Sequence, residues 1–136
     1  MITNRVFAAA LTIVSLVSMS WAASPAQVGA WSGISKVTTF TGGTNKTVTK
    51  ETMQIEIAAD NTTTITVGGV QQVGGALFFN ETDLLLNYGP PPGSSAIYFS
   101  TLGVKNTTMK GSGVGYTLGV SGLINTIEAK YKLKKQ

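Results

Sequence analysis

Apolar and polar residues alternate one by one in several stretches of this chain, and this alternation restricts its possible folds more than any other feature. Every second residue is apolar in Thr52–Ile57, and the pattern returns in Thr64–Val67 after a turn signal at Asp60-Asn61. The same alternation fills Ile127–Leu133. A period of two places successive side chains on opposite faces of a β-strand. The sequence therefore predicts an all-β fold, with the first two stretches paired as an antiparallel hairpin.

Glycines inside the expected strands indicate how the sheet closes. All 16 glycines follow residue 22, and Gly33, Gly115 and Gly119 fall within strand-like segments. Glycine inside a strand marks a bulge or a sharp bend, and a small barrel needs such bends. We predict an antiparallel up-and-down β-barrel of about 8–10 short strands, with a β-sandwich as the alternative. Strand breaks are expected at Gly103 and at Gly111-Ser112-Gly113.

The N-terminus has the layout of a secretory signal peptide. Arg5 supplies a positive charge, Val6–Met19 is largely apolar, and Ser20-Trp21-Ala22 places small residues where a signal peptidase reads them. We predict that residues 1–22 are removed and that residues 23–136 form a single β-barrel domain. This places the protein in the periplasm or outside the cell.

The absence of some residue types excludes several kinds of catalytic and metal site. The chain has no His and no Cys, and its one Arg, Arg5, lies in the expected signal peptide. A Ser-His-Asp triad, a Cys nucleophile and the usual zinc or haem ligands are therefore excluded. Glu81 and Asp83 form an acidic pair, but they lie in an expected turn, where solvated carboxylates are routine. We predict a protein that is not an enzyme and that uses no metal and no cofactor.

A short motif at the start of the expected domain carries a family resemblance. Gly29-Ala30-Trp31 opens the first strand and resembles the Gly-x-Trp signature of lipocalins and their calycin relatives. The resemblance implies an up-and-down barrel that holds a small apolar ligand. It also implies that Trp31 closes one end of that barrel.

Aromatic residues and lysines are the candidate contacts. Trp31, Phe78, Tyr98 and Tyr116 are the candidate ligand-binding residues, with packing in the core as the alternative for each. Lys130, Lys132 and Lys134 form a basic stripe on the last strand and are candidates for contact with an anionic surface. The alternative is a solvated face that keeps a terminal strand from pairing with another molecule.

Three functions remain open. The first is a secreted or periplasmic barrel that binds a small apolar ligand without catalysis. The second is a protein–protein interaction module, such as a secreted protease inhibitor that reaches a partner with Ala23–Gln27. The third is an outer-membrane β-barrel. A small apolar ligand or a protein is the expected partner, a membrane surface is a further alternative, and nucleic acid is not expected.

Four Asn-x-Thr sequences occur in expected turns, at Asn45, Asn61, Asn80 and Asn106. They are glycosylation candidates in a eukaryotic secretory pathway. In a bacterium they are turn-forming residues of a Thr-rich chain.

Overall fold

A computed structural model describes residues 21–41, 45–91, 96–118 and 124–136, and these residues form β-strands joined by turns. None of the described residues belongs to a helix long and apolar enough to cross a membrane. The strands are β1 (Gly29–Thr41), β2 (Asn45–Ile57), β3 (Thr63–Val67), β4 (Val70–Gln71), β5 (Val73–Phe78), β6 (Asp83–Gly89), β7 (Ile97–Lys105), β8 (Thr108–Leu118) and β9 (Ile124–Lys135).

The nine strands form one antiparallel sheet that curls into a nearly closed barrel. Their order is β4-β3-β2-β1-β9-β8-β7-β6-β5, so strands consecutive in sequence pair with each other except β4 and β5, which stand at the two ends of the sheet, and β1 also pairs with β9. Between β4 and β5, the two end strands of the sheet, Gln72 donates its backbone N–H to the carbonyl of Ile65 on β3 at 2.8 Å. β5 then continues along β6. The predicted all-β up-and-down barrel is confirmed, and the sandwich alternative is wrong.

The predicted hairpin and the predicted last strand are both present. Ile55 lies opposite Ile65 where β2 pairs with β3, and β9 buries Ile127, Ala129, Tyr131 and Leu133 on its inner face. Alternation located these elements because one face of each strand packs against the core.

The prediction that glycines break the last strands is wrong. Gly103 lies inside β7, and Gly111 and Gly113 lie inside β8. The chain turns instead at Asn106, whose φ of 56° is the left-handed conformation that asparagine tolerates better than most residues. Strands β7 and β8 consequently run through these glycines and contain 9 and 11 residues. Gly119, also expected inside a strand, lies outside the described residues.

The glycines of β8 face the barrel interior and allow a close approach to β7. Gly111, Gly113 and Gly115 all point inward, since they alternate with exposed residues and pair with inward residues of β7. A Cβ atom on Gly113 would lie 2.6 Å from the Cα of Ser100 and would also meet the Ser100 hydroxyl. These three glycines therefore permit a curvature of β8 that any side chain at their positions would oppose.

One end of the barrel, called the closed end here, is covered by residues 21–28. Ala23 donates its backbone N–H to Asn61 Oδ1 at 2.6 Å, and the fully buried Gln27 donates from Nε2 to the carbonyl of Asn80 at 3.0 Å. Large apolar side chains fill the barrel beneath this cover, among them Trp31, Met53, Ile55, Ile57, Ile65, Phe78, Leu84, Met109 and Leu133.

Candidate functional site

A cavity of about 220 Å³ lies toward the opposite end of the barrel, where the apolar filling gives way to polar side chains. It is called the tyrosine cavity here. Glu51 and Val70 are exposed while Ser35 and Tyr88 are buried, so the cavity runs from the surface into the interior. Its lining consists of Ser35, Val37, Glu51, Val67, Val70, Gln72, Tyr88, Pro90 and Tyr98.

Pairing between strands brings the tyrosines of the site together. Tyr98 on β7 lies opposite Tyr88 on β6, and their rings stack with centroids 4.9 Å apart and an angle of 11° between planes. Tyr131 on β9 meets Tyr88 edge to face at 6.5 Å. Gly111 lies opposite Tyr131 on the neighbouring strand and leaves room for its ring. Such geometries suit the quadrupoles of aromatic rings.

A hydrogen-bonded chain of hydroxyl groups lies beside the cavity. The hydroxyl oxygens of Tyr88 and Tyr131 are 2.7 Å apart, and the Tyr131 oxygen is 2.7 Å from Ser100 Oγ. All three side chains are buried, so these bonds satisfy polar groups that water reaches poorly. These hydrogen bonds hold the ring of Tyr88 at the cavity wall.

Burial makes these phenols resist ionisation. Desolvation is the main cause that raises the pKa of Tyr88 and of Tyr131 above the ordinary value of 10.0. It also raises the pKa of Tyr98, with the neighbouring Tyr131 and the Glu51 carboxylate as further causes. The tyrosines therefore remain neutral hydroxyl groups at physiological pH and present donors and ring faces rather than charge.

Ser35 is the unusual polar residue of the site. Its side chain is fully buried, and its hydroxyl oxygen has no partner at hydrogen-bonding geometry among the described residues, although Ser35 lies near enough to the Tyr88 hydroxyl to oppose the rise in the Tyr88 pKa. A buried hydroxyl without a partner is costly, and most buried polar groups in native proteins have one. Because Ser35 lines the tyrosine cavity, a molecule in the cavity would supply the missing partner.

Glu51 sets the electrostatic character of the cavity. It pairs with Ser35 across β1 and β2, and it is the one charged residue among the described residues that line the cavity. No lysine lies in that lining to balance it. An anionic ligand would meet an uncompensated carboxylate, whereas a neutral or cationic ligand would not.

The structure separates the four aromatic residues that the sequence suggested as ligand contacts. Tyr98 lines the tyrosine cavity. Trp31 and Phe78 are buried in the apolar core at the closed end, at 1% and 2% exposure. Tyr116 lies on the outer surface of β8 and is 48% exposed.

Trp31 has the contacts of a packing residue. Its Nε1 donates to the backbone carbonyl of Gln27 at 2.9 Å, which satisfies its polar atom within the closed end. The ammonium of Lys135 lies 5.5 Å from the ring centroid and donates to the carbonyl of Pro25 at 3.3 Å. Trp31 therefore joins the start of β1 to the covering segment and to β9.

The lysine stripe lies on the outer surface of β9. Lys130, Lys132 and Lys134 are exposed, and β9 is paired with β1 on one side and β8 on the other. Because β9 is no edge strand, its lysines are not needed to keep an open edge from pairing.

Sequence reasoning missed Ser35, Tyr88 and Tyr131 as members of the site. The alternation around Tyr131 placed it inward, but it gave no sign that its hydroxyl would meet Tyr88, 43 residues away in sequence. Ser35 gave no signal, because a serine within a strand is common on either face. The described residues contain no group of three or more potential metal ligands, and Glu81 is exposed in a turn.

Comparisons with known protein families, with curated proteins and with solved structures find no match to this chain.

Proposed function

We propose that this protein is a non-catalytic binding barrel for a small, largely apolar ligand that bears one hydrogen-bonding group and no negative charge. The observation that carries the proposal is the buried Ser35 hydroxyl, which faces the tyrosine cavity without a partner. A ligand hydroxyl or carbonyl at this position would complete its hydrogen bonding.

The size and the lining of the cavity support a ligand of one or two rings. Apolar cavities of roughly 150 Å³ bind benzene, and the tyrosine cavity measures about 220 Å³. Val37, Val67 and Pro90 offer apolar contacts, while the face of Tyr98 offers a stacking surface. This arrangement of apolar walls with a few placed polar groups is typical of small-molecule sites. It also agrees with the ligand-binding role that the resemblance to lipocalins implies.

Two observations favour this role over the alternatives. The segment that an inhibitor would use to reach a partner is held against the barrel, since Ala23 bonds Asn61 and Gln27 bonds Asn80. A barrel that spans a bilayer needs an apolar outer belt, whereas Lys36 and Lys130 lie outward in the middle of their strands.

Titration of the protein with four one-ring compounds tests the proposal. Benzyl alcohol carries a hydroxyl, toluene lacks it, benzoate is an anion and benzylamine is a cation. We expect benzyl alcohol to bind more tightly than toluene by roughly two- to tenfold, because one hydrogen bond contributes about 0.5–1.5 kcal/mol. We expect no binding of benzoate. Chemical-shift changes of backbone amides would report both affinity and place.

Two variants test whether Ser35 is the residue that makes benzyl alcohol bind more tightly than toluene. Ser35→Ala should reduce the affinity for benzyl alcohol to that for toluene and leave toluene binding unchanged. Tyr116→Ala changes an exposed ring outside the cavity and should alter neither affinity. If none of the four compounds binds, or if shifts cluster away from β1, β6 and β7, the proposal is wrong.

We further propose that the protein acts in the periplasm or outside the cell after removal of residues 1–22. Cleavage there would remove the hydrogen bond from the Trp21 N–H to the Phe78 carbonyl, 3.2 Å long, and would leave the Ala23 nitrogen as an amine that still donates to Asn61 Oδ1. N-terminal sequencing of the exported protein should begin at Ala23. Cytoplasmic protein that retains Met1 would contradict this.

A further inference from the structure

The outer surface of the barrel has two unlike sides. Strands β5 to β8 present six exposed apolar side chains outward, called the apolar wall here: Val73, Leu77, Ile97, Phe99, Val114 and Tyr116. Each is between 40% and 62% exposed. Strands β8, β9, β1 and β2 present exposed lysines outward, called the lysine side here: Lys36, Lys50, Lys110, Lys130 and Lys132.

Register joins four of these side chains, those of β7 and β8, into one patch. Ile97 lies opposite Tyr116, and Phe99 lies opposite Val114. Leu77 lies opposite the half-buried Leu85 on β6 and forms a second, smaller patch, because Thr101 lies opposite Leu85 and Asn87 lies opposite Phe99. Single exposed apolar residues are ordinary, but a contiguous group on one face marks an interaction surface.

The lysine side places like charges beside one another. Lys36 lies between Lys130 of β9 and Lys50 of β2, and Lys110 lies opposite Lys132. Like charges directly opposite across strands are destabilising. None of these lysines has an ion pair within the part of the chain that the structure describes. An external anionic surface would relieve the repulsion.

The two sides adjoin each other on β8. Ser112 separates Val114 of the apolar wall from Lys110 and lies opposite Lys130. Glu128 borders the wall opposite Val114. A flat surface that is apolar within and anionic at its edge would therefore contact the wall residues of β7 and β8 together with Lys110 and Lys130, whereas Lys36 and Lys50 lie two and three strands beyond β8.

We propose that the apolar wall docks on an anionic lipid bilayer, with Lys110, Lys130 and Lys132 at its β8–β9 border contacting the headgroups. Exposed apolar and aromatic side chains enter the interfacial region, and lysines within a Debye length of anionic lipid add attraction. A second copy of the chain would cover the apolar wall as well, but it would bring further lysines rather than anions. This proposal is independent of the tyrosine cavity, because the wall residues face outward.

Flotation of the protein with lipid vesicles tests the docking surface. The protein should float with vesicles of phosphatidylcholine and phosphatidylglycerol, and far less with phosphatidylcholine alone. Phe99→Ser combined with Val114→Ser should weaken binding about tenfold or more, because two apolar side chains no longer leave water. Lys110→Gln combined with Lys130→Gln should weaken binding to anionic vesicles and reduce its dependence on salt.

Val48 provides the matched control. It is a strand valine with 49% exposure, against 50% for Val114, but it lies on β2 beyond the lysines. Val48→Ser should therefore leave vesicle binding within about twofold of the wild type, since its side chain stays in water when the wall docks. All variants carry the same N-terminal segment, so any binding by that segment cancels in the comparison. Thermal melts confirm that each variant is folded.

Three outcomes would overturn the docking proposal. The first is a wild type that does not bind anionic vesicles. The second is equal weakening by Val48→Ser and Val114→Ser. The third is a wild-type dimer that the wall variants convert to a monomer without a change in vesicle binding. Binding of benzyl alcohol by the wall variants should match the wild type, so failure here is distinguishable from failure of the cavity proposal.

Discussion

Two buried serines show how a single hydroxyl can serve either the fold or a ligand. Ser100 and Ser35 are both buried and both face the barrel interior. Ser100 Oγ lies 2.7 Å from the Tyr131 hydroxyl, whereas Ser35 Oγ has no partner in the described part of the chain. The first contributes to stability, whereas the second costs stability in the free protein. Buried polar groups that weaken the free protein are expected where function requires them.

Alanine substitution should separate the two roles. Ser100→Ala removes a buried hydrogen bond and should lower the free energy of unfolding by about 0.5–1.5 kcal/mol. Ser35→Ala removes an unsatisfied hydroxyl and should leave the free energy of unfolding unchanged or raise it. Urea denaturation of the two variants and the wild type measures both. Equal losses would mean that Ser35 is hydrogen-bonded in the free protein.

At the scale of the element, β8 is the strand whose sequence is most constrained by its neighbours. Its inward positions are occupied by Gly111, Gly113 and Gly115, and added Cβ atoms at these positions would meet β7. Apart from Met109, which is fully buried in the core, β8 contributes little apolar burial. It contributes instead a close contact that lets the rings of Tyr131 and Tyr98 occupy the interior.

The effect of a glycine-to-alanine substitution on the free energy of unfolding should therefore depend on the position of the glycine. Gly113→Ala places a Cβ 2.6 Å from the Cα of Ser100 and should lower the free energy of unfolding by roughly 1–3 kcal/mol through overpacking. Gly75 in β5 is the matched control, since a Cβ there meets nothing within 4 Å. Gly75→Ala should be neutral or stabilising by up to about 1 kcal/mol, because it restricts the unfolded chain. Comparable losses in the two variants would contradict the steric explanation.

At the scale of the whole molecule, closure depends on a pair of strands that lie at opposite ends of the domain. Trp31 in β1 pairs with Lys135 in β9, and the backbone N–H of Gln136 donates to the carbonyl of Ala30 at 2.9 Å. Contacts so distant in sequence slow folding, since loop closure costs entropy before they form. The tyrosine cluster draws on β6, β7 and β9, so it is complete only when the barrel closes.

The stability of the closed barrel should consequently fall at alkaline pH. Burial raises the pKa of Tyr88 and Tyr131 in the folded protein above the ordinary 10.0. Each therefore binds its proton more tightly when folded. The stability from this difference is complete below about pH 10 and is lost above it, as the unfolded chain ionises first. The limiting slope is about 1.4 kcal/mol per pH unit for each tyrosine.

Urea denaturation between pH 9 and pH 12 measures this slope. Tyr88→Phe should reduce the slope by the contribution of one tyrosine, while the exposed Tyr116→Phe is the matched control. A wild-type stability that is flat across this range, or a Tyr88→Phe slope equal to that of the wild type, would show that the phenols are solvated in the folded state.

The sequence by itself determined the strand content, the hairpin of β2 and β3, and the inner face of β9. These follow from a local property, because alternation places every second side chain on one face regardless of what it meets. Glycines inside strands indicated the barrel, since curvature requires close backbone contact. The sequence misplaced the breaks at Gly103 and Gly111–Gly113 because a glycine that bends a strand and a glycine that ends one look alike.

The tertiary structure alone decided the site. Ser35, Tyr88 and Tyr131 come from three strands, and only their registers bring the hydroxyl groups of the tyrosines together and leave that of Ser35 without a partner. The same applies to the outer surface, where the apolar wall and the lysine side arise from residues on different strands. A side chain's face is fixed by its own strand, but what it meets there is fixed by the other strands of the barrel.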